Sequence, residues 1–152
     1  LFRSKSCLTL DKSISDLLPD LHEMVAKTSI YNQVPQIEVA AADNTVALVV
    51  RHLAPLDVDD LALMTEFARG HEVQLFLQPG GLHTIHPLYP TEPETLYYRL
   101  PDYGLKLEFL PLDFLQVNAR VNEHMIATAI DLLELKQGDA VLDLFCGLGN
   151  FT

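Results

Sequence analysis

Ala140-Val141-Leu142-Asp143-Leu144-Phe145-Cys146-Gly147-Leu148-Gly149-Asn150 is the stretch on which the fold is decided. Its first six residues are almost wholly apolar, the pattern of a strand buried on both faces of a parallel sheet. Residues 118–135 ahead of it read as a long helix, with Val121, Met125, Ile126, Ala129, Ile130, Leu132 and Leu133 near helical spacing. Gln137-Gly138-Asp139 turns the chain between the two. Helix, apolar strand and glycine loop open a doubly wound nucleotide-binding fold, in which ligands lie outside the carboxyl ends of the strands. Gly147 and Gly149 suit that place, because glycine has no Cβ and adopts positive φ freely. The dinucleotide fingerprint asks for a third glycine where this chain has Thr152, and the Gly-Lys-Ser/Thr of a phosphate-cradling loop is absent. A ligand without a pyrophosphate fits better, and S-adenosylmethionine is the commonest of these. The alternative is a tight turn that holds nothing.

Working outward, the expected boundary lies near residues 111–114, separating a domain of residues 1–112 from the start of another at 113–152. Within the first, residues 15–28 read as an amphipathic helix capped by Ser15 or Asp16, with Pro19 close to its start. Ile37, Val39 and Ala41 alternate into a hairpin with Val46, Leu48 and Val50 around Asp43-Asn44. A second helix is expected over residues 57–69, with Asp57 as N-cap, an inner stripe of Leu61, Met64, Phe67 and Ala68, and Gly70 as its stop. Residues 72–77 read as a strand, residues 83–94 (with Pro87, Pro90 and Pro93) as irregular, and residues 96–100 and 105–109 as another hairpin. Strands joined by hairpins with two helices over one face predict an α+β domain on an antiparallel sheet. A Rossmann-like α/β domain then begins with the helix, strand and glycine loop of residues 113–152.

The 152 residues are 49% hydrophobic and 20% charged, which excludes a disordered chain and leaves enough apolar material for a core. No apolar run approaches the roughly 18 residues that cross a bilayer, so no membrane role is expected. Two cysteines are too few for a disulfide scaffold, and a cytoplasmic setting is the expectation. With 10 Lys+Arg against 21 Asp+Glu, the formal charge of −11 argues against an autonomous nucleic-acid binder. It leaves open a part in a larger RNA-binding protein.

Asp113-Phe114-Leu115-Gln116-Val117-Asn118, followed by Ala119-Arg120-Val121-Asn122 and by Val141 to Thr152, resembles the RNA (uracil-5-)-methyltransferases. Within that family it is most similar to the bacterial branch that acts on 23S ribosomal RNA and carries an iron–sulfur cluster. The resemblance implies methyl transfer from S-adenosylmethionine to C5 of a uridine, with 23S rRNA as partner. It implies a cysteine thiolate that adds to C6, an attack by C5 on the sulfonium methyl, and a base that removes the C5 proton. It also implies that Gln116, Phe145 and Asn150, beside Gly147 and Gly149, bind the cofactor. Their plain alternatives are a capping amide at Gln116 or Asn118, a core Phe145 and a turn-forming Asn150.

Cys146 sits in the cofactor loop, where it would crowd the ligand, so it is read as a packed side chain. The nucleophile and base are expected beyond Thr152, and none of these residues is assigned a catalytic role. Lys5-Ser6-Cys7-Leu8-Thr9-Leu10 resembles the family segment that carries the last of four thiolates of a 4Fe–4S cluster. Cys7 is the corresponding ligand in a full-length protein; the segment alone is expected to hold no cluster and to be inactive. His83 and His86 have a spacing a metal can use, but a solvated loop is the expected reading. The chain reads as a fragment whose exposed last strand invites self-association. The alternatives are a non-catalytic RNA- or protein-binding module and a small-molecule methyltransferase of the same cofactor fold.

Overall fold

The computed structural model describes Cys7 and residues 10–151. Asp11 opens α1 (Lys12–Lys27) by accepting hydrogen bonds from the Ser13 amide at 2.9 Å and the Ser13 hydroxyl at 2.6 Å. The helix therefore starts earlier than residue 15, and Pro19 lies inside it rather than in its first turn. Proline removes one backbone donor, but Pro19 is on the exposed side, and burial of Ile14, Leu21, Met24 and Val25 holds the helix on both sides of it.

β1 (Gln36–Ala41) and β2 (Val46–Arg51) form the expected antiparallel hairpin, with Val39 opposite Leu48. α2 (Val58–Gly70) follows, with a capping box in which Asp57 and Asp60 each accept the other's backbone amide. Gly70 is helical; the left-handed residue that ends the turn is Glu72, at φ 55°. β3 (Gln74–Gln78) then lies parallel to β2. This corrects the expectation of a wholly antiparallel sheet. A strand, helix and strand in succession return the chain to the same end of the sheet, which makes the pair parallel.

β4 (His86–Tyr89) pairs antiparallel with β3 and completes a mixed sheet of order β1-β2-β3-β4. Residues 86–89 are thus not irregular. Pro87 is tolerated because β4 is an edge strand, where a missing donor breaks no inner ladder. β5 (Leu96–Leu100) and β6 (Leu105–Phe109) form a separate two-stranded sheet, turned by residues 101–103 and by Gly104 at φ 64°.

The four-stranded sheet is covered on both sides. Leu48, Val50, Leu75 and Leu77 face Leu21, Met24, Val25, Met64 and Ala68 of the helices. Ala47, Val49 and Phe76 face Leu96 and Phe109 of the hairpin. One further contact ties the helical layer together. Asp60 accepts from the Ser29 amide at 2.7 Å and the Ser29 hydroxyl at 2.6 Å, joining the end of α1 to the start of α2.

α3 (Ala119–Leu133) is capped by Asn118, whose Oδ1 accepts from the Val121 amide at 3.1 Å. Its buried side is Asn122 and Ile126, while Val121, Leu132 and Leu133 of the expected stripe are exposed. Residues 140–145 form no strand. Val141, Leu142 and Leu144 are exposed, and no strand lies beside them among the described residues. A parallel-type strand takes its backbone bonds from neighbours, and without them the apolar run does not extend into one.

Candidate functional site

The glycine loop is shaped by three left-handed residues: Phe145 at φ 66°, Gly147 at φ 58° and Gly149 at φ 83°. Glycine adopts this region without cost, whereas a bulky L-residue such as Phe145 is strained there by about 1–2 kcal/mol. A Cβ at Gly147 would meet open space, so its backbone is free to be approached. The Gly149 amide donates to the Cys146 carbonyl at 3.0 Å and closes the turn.

The loop docks on the β5–β6 hairpin. Leu148 joins the apolar cluster of Phe76, Leu96 and Phe109, and Asn150 makes the polar attachment. Asn150 Oδ1 accepts from the Tyr98 hydroxyl at 2.8 Å and from Asn122 Nδ2 at 3.0 Å. Asn150 Nδ2 donates to Asn122 Oδ1 at 2.6 Å, which leaves its second N–H uncommitted. Burial raises the Tyr98 phenol above its ordinary value, so the hydroxyl stays protonated and remains a donor. Strand β5, helix α3 and the loop thus meet at three side chains.

Tyr98 and Asn122 were not singled out by sequence reasoning. The signals were present: Leu96 and Leu100 are apolar at period two, so Tyr98 shares their inner face. Asn122 stands four residues before Ile126, on the same side of its helix.

Gln116 is exposed and makes no hydrogen bond among the described residues, so the capping amide is Asn118 and not Gln116. Phe145 is fully exposed and lies outside both apolar clusters. Cys146 is exposed, with its thiol 3.8 Å from the Gly147 carbonyl. Asp143 Oδ2, by contrast, is buried and accepts no hydrogen bond among the described residues, an orphan acceptor beside the loop. The loop thus keeps an open Gly147 backbone and one unengaged Asn150 N–H, while Gln116, on the segment before α3, keeps its whole amide unengaged.

Among the described residues no group of three or more His, Cys, Asp or Glu is placed to hold a metal ion. Cys7 is half-buried, its amide donates to the Ser15 hydroxyl at 2.9 Å, and it brings one thiolate where a cubane takes four. His86 Nδ1 lies 2.9 Å from the Thr84 carbonyl. No helix among the described residues is long and apolar enough to cross a membrane.

Comparison with known proteins places these features in context. A family model described as tRNA (Uracil-5-)-methyltransferase matches residues 97–152, a span that begins in β5 and takes in β6, α3 and the loop. The 23S rRNA (uracil(1939)-C(5))-methyltransferase RlmD of Xanthomonas campestris pv. campestris is 49% identical over 146 residues, which are 96% of this chain and 33% of that protein. The protein of the same name from Acidithiobacillus ferrooxidans is 47% identical over 96% of this chain and 33% of its own length. That of Bordetella avium is 45% identical over 97% of this chain and 31% of its own length. The chain therefore spans about a third of the curated relatives it matches.

Proposed function

Starting from the fact that this chain is a homologue of the 23S rRNA (uracil-C5)-methyltransferases over about a third of their length, we propose that it serves the same reaction. On this reading residues 1–112 are a central α+β domain, and residues 113–152 begin a Rossmann-like domain that binds S-adenosylmethionine. The observation that carries the proposal is the docked loop: Gly147 and Gly149 in left-handed turns, fastened by Asn150 to Tyr98 and Asn122.

When bound, S-adenosylmethionine supplies an electrophilic methyl group on a sulfonium. The residues of this chain bind and orient it and move no proton. Gln116 offers its amide to the methionine end or the target base, and Phe145 offers its exposed ring to an apolar part of the cofactor. Asn150 offers its second N–H to a polar group of the cofactor. Cys146 is not the nucleophile. The thiolate that adds to uracil C6 and the base that acts at C5 belong to other parts of the enzyme. So does RNA methylation as an activity, which residues 1–152 do not perform alone. Cys7 acts as one of four cluster ligands when three thiolates come from elsewhere. The exposed apolar run of residues 141–145 favours self-association of the isolated chain.

Equilibrium dialysis with labelled S-adenosylmethionine tests this reading. Weak, saturable binding that Gln116→Ala abolishes supports it, and binding unaffected by that change contradicts the assignment. Methyl transfer to a uridine-containing ribosomal RNA by residues 1–152 alone refutes the division of labour and restores Cys146 as nucleophile.

A further inference from the structure

The two faces of β5 do different things. Leu96, Tyr98 and Leu100 point inward, and the Tyr98 hydroxyl holds the glycine loop. Tyr97 and Arg99 lie on the other face, where the register sets Arg99 directly opposite Lys106 and Tyr97 opposite Glu108. Like charges directly opposite in an antiparallel pair repel and cost stability. Here both cations lean over one ring: Arg99 Cζ is 4.7 Å and Lys106 Nζ 4.3 Å from the centroid of Tyr97. Arg99 Nη2 also donates to the Tyr97 hydroxyl at 3.3 Å. The face of the ring attracts cations and so offsets part of the repulsion.

Carboxylates cancel only the Lys106 half of this pair. Glu108 reaches Lys106 at 3.0 Å, but among the described residues no carboxylate forms an ion pair with Arg99. Asp43 Oδ2 takes the Arg99 backbone amide, and the guanidinium itself is engaged by Tyr97 and by no carboxylate. In a chain with 21 acidic and 10 basic residues, two cations facing each other across an exposed hairpin stand against the general balance. Their arrangement suits the two non-bridging oxygens of a singly charged phosphodiester: a guanidinium fork for the oxygens, an ammonium beside it, and an aromatic platform.

We propose that the outer face of β5–β6, formed by Tyr97, Arg99 and Lys106, docks the phosphodiester backbone of single-stranded RNA. The inference rests on the reading of this chain as part of an rRNA methyltransferase, and it names a contact surface within that reading. Its position has a functional consequence. An RNA phosphate held on one face of β5 lies against the strand whose other face fixes the cofactor loop through Tyr98.

The test is fluorescence anisotropy of a labelled uridine-rich single-stranded RNA titrated with residues 1–152 across a salt series. Arg99→Gln with Lys106→Gln should raise Kd about tenfold, and the slope of log affinity against log salt should fall by about 0.7 per cation lost. Lys136→Gln, remote from the hairpin in sequence, serves as the control and should change neither. Arg99→Lys should recover part of the affinity, since it restores charge without the fork. Because the double change relieves repulsion, its thermal midpoint should not fall. RNA binding that is indifferent to the double change overturns the surface while leaving the methyltransferase reading intact. Failure of the unaltered chain to bind RNA also overturns it, and cofactor dialysis then judges that reading separately. Competition by polyglutamate as effective as that by RNA would assign the face to an acidic protein instead.

Discussion

Two apolar runs of nearly the same character meet opposite fates in this molecule. Val46-Ala47-Leu48-Val49-Val50 becomes the second strand of the sheet and is buried on both faces, whereas residues 140–145 stay unextended with Val141, Leu142, Leu144 and Phe145 exposed. The difference does not lie in propensity, since both runs are rich in Val and Leu. It lies in what stands beside them. β2 takes backbone partners from β1 and β3 and apolar partners from two helices above and a hairpin below. The later run has neither, and an apolar strand without neighbours forgoes both backbone bonds and burial.

The largest expected effect follows from this contrast. Leu48→Ala should destabilise the fold by about 2–5 kcal/mol, because it empties space in a closed core. Leu142→Ala should change urea stability by no more than about 0.5 kcal/mol. Equal losses at the two positions would break the comparison.

Asp60 sharpens it from the polar side, since the helical layer carries a buried carboxylate that is fully engaged. Burial alone would raise its pKa, but the Ser29 hydroxyl and amide and the Asp57 amide outweigh burial and hold it below the usual carboxylate value. A group with a lowered folded pKa contributes stability above its unfolded pKa and loses it as pH falls through the folded one. Asp60→Asn should therefore cost about 1.5–3 kcal/mol at neutral pH and flatten the acid side of the stability profile below about pH 4. An unchanged acid limb in the variant would count against the Asp60 assignment. The last region has a polar attachment of a looser kind, neutral and near the surface. Tyr98→Phe should cost only about 0.5–1.5 kcal/mol, with faster amide exchange at Gly149 as its clearest sign.

Legibility in the sequence follows the same division. The hairpin of Leu96–Leu100 and Leu105–Phe109 is readable to the residue, because alternation and a Pro-Asp-Tyr-Gly turn act locally. The N-cap at Asp57 is readable for the same reason. The parallel pairing of β2 with β3 is a long-range consequence of the intervening helix, and a search for hairpins passes over it. Pro19 misleads because a propensity rule was applied where packing of four apolar side chains prevails. At the site, the motifs single out Asn150 and the glycines, include Asn122 without giving it a role, and omit Tyr98. Those two matter only through register and helix phase.

Native-state hydrogen exchange with and without S-adenosylmethionine tests the central claim, that a self-sufficient sheet presents a loop made for a ligand. Strong protection is expected in β2 and β3 in both conditions. Near-unprotected exchange is expected over residues 140–145 without ligand, and added protection at residues 146–150 only when S-adenosylmethionine is present. Protection of residues 140–145 equal to that of β2 without ligand, or a loop indifferent to the cofactor, would contradict it.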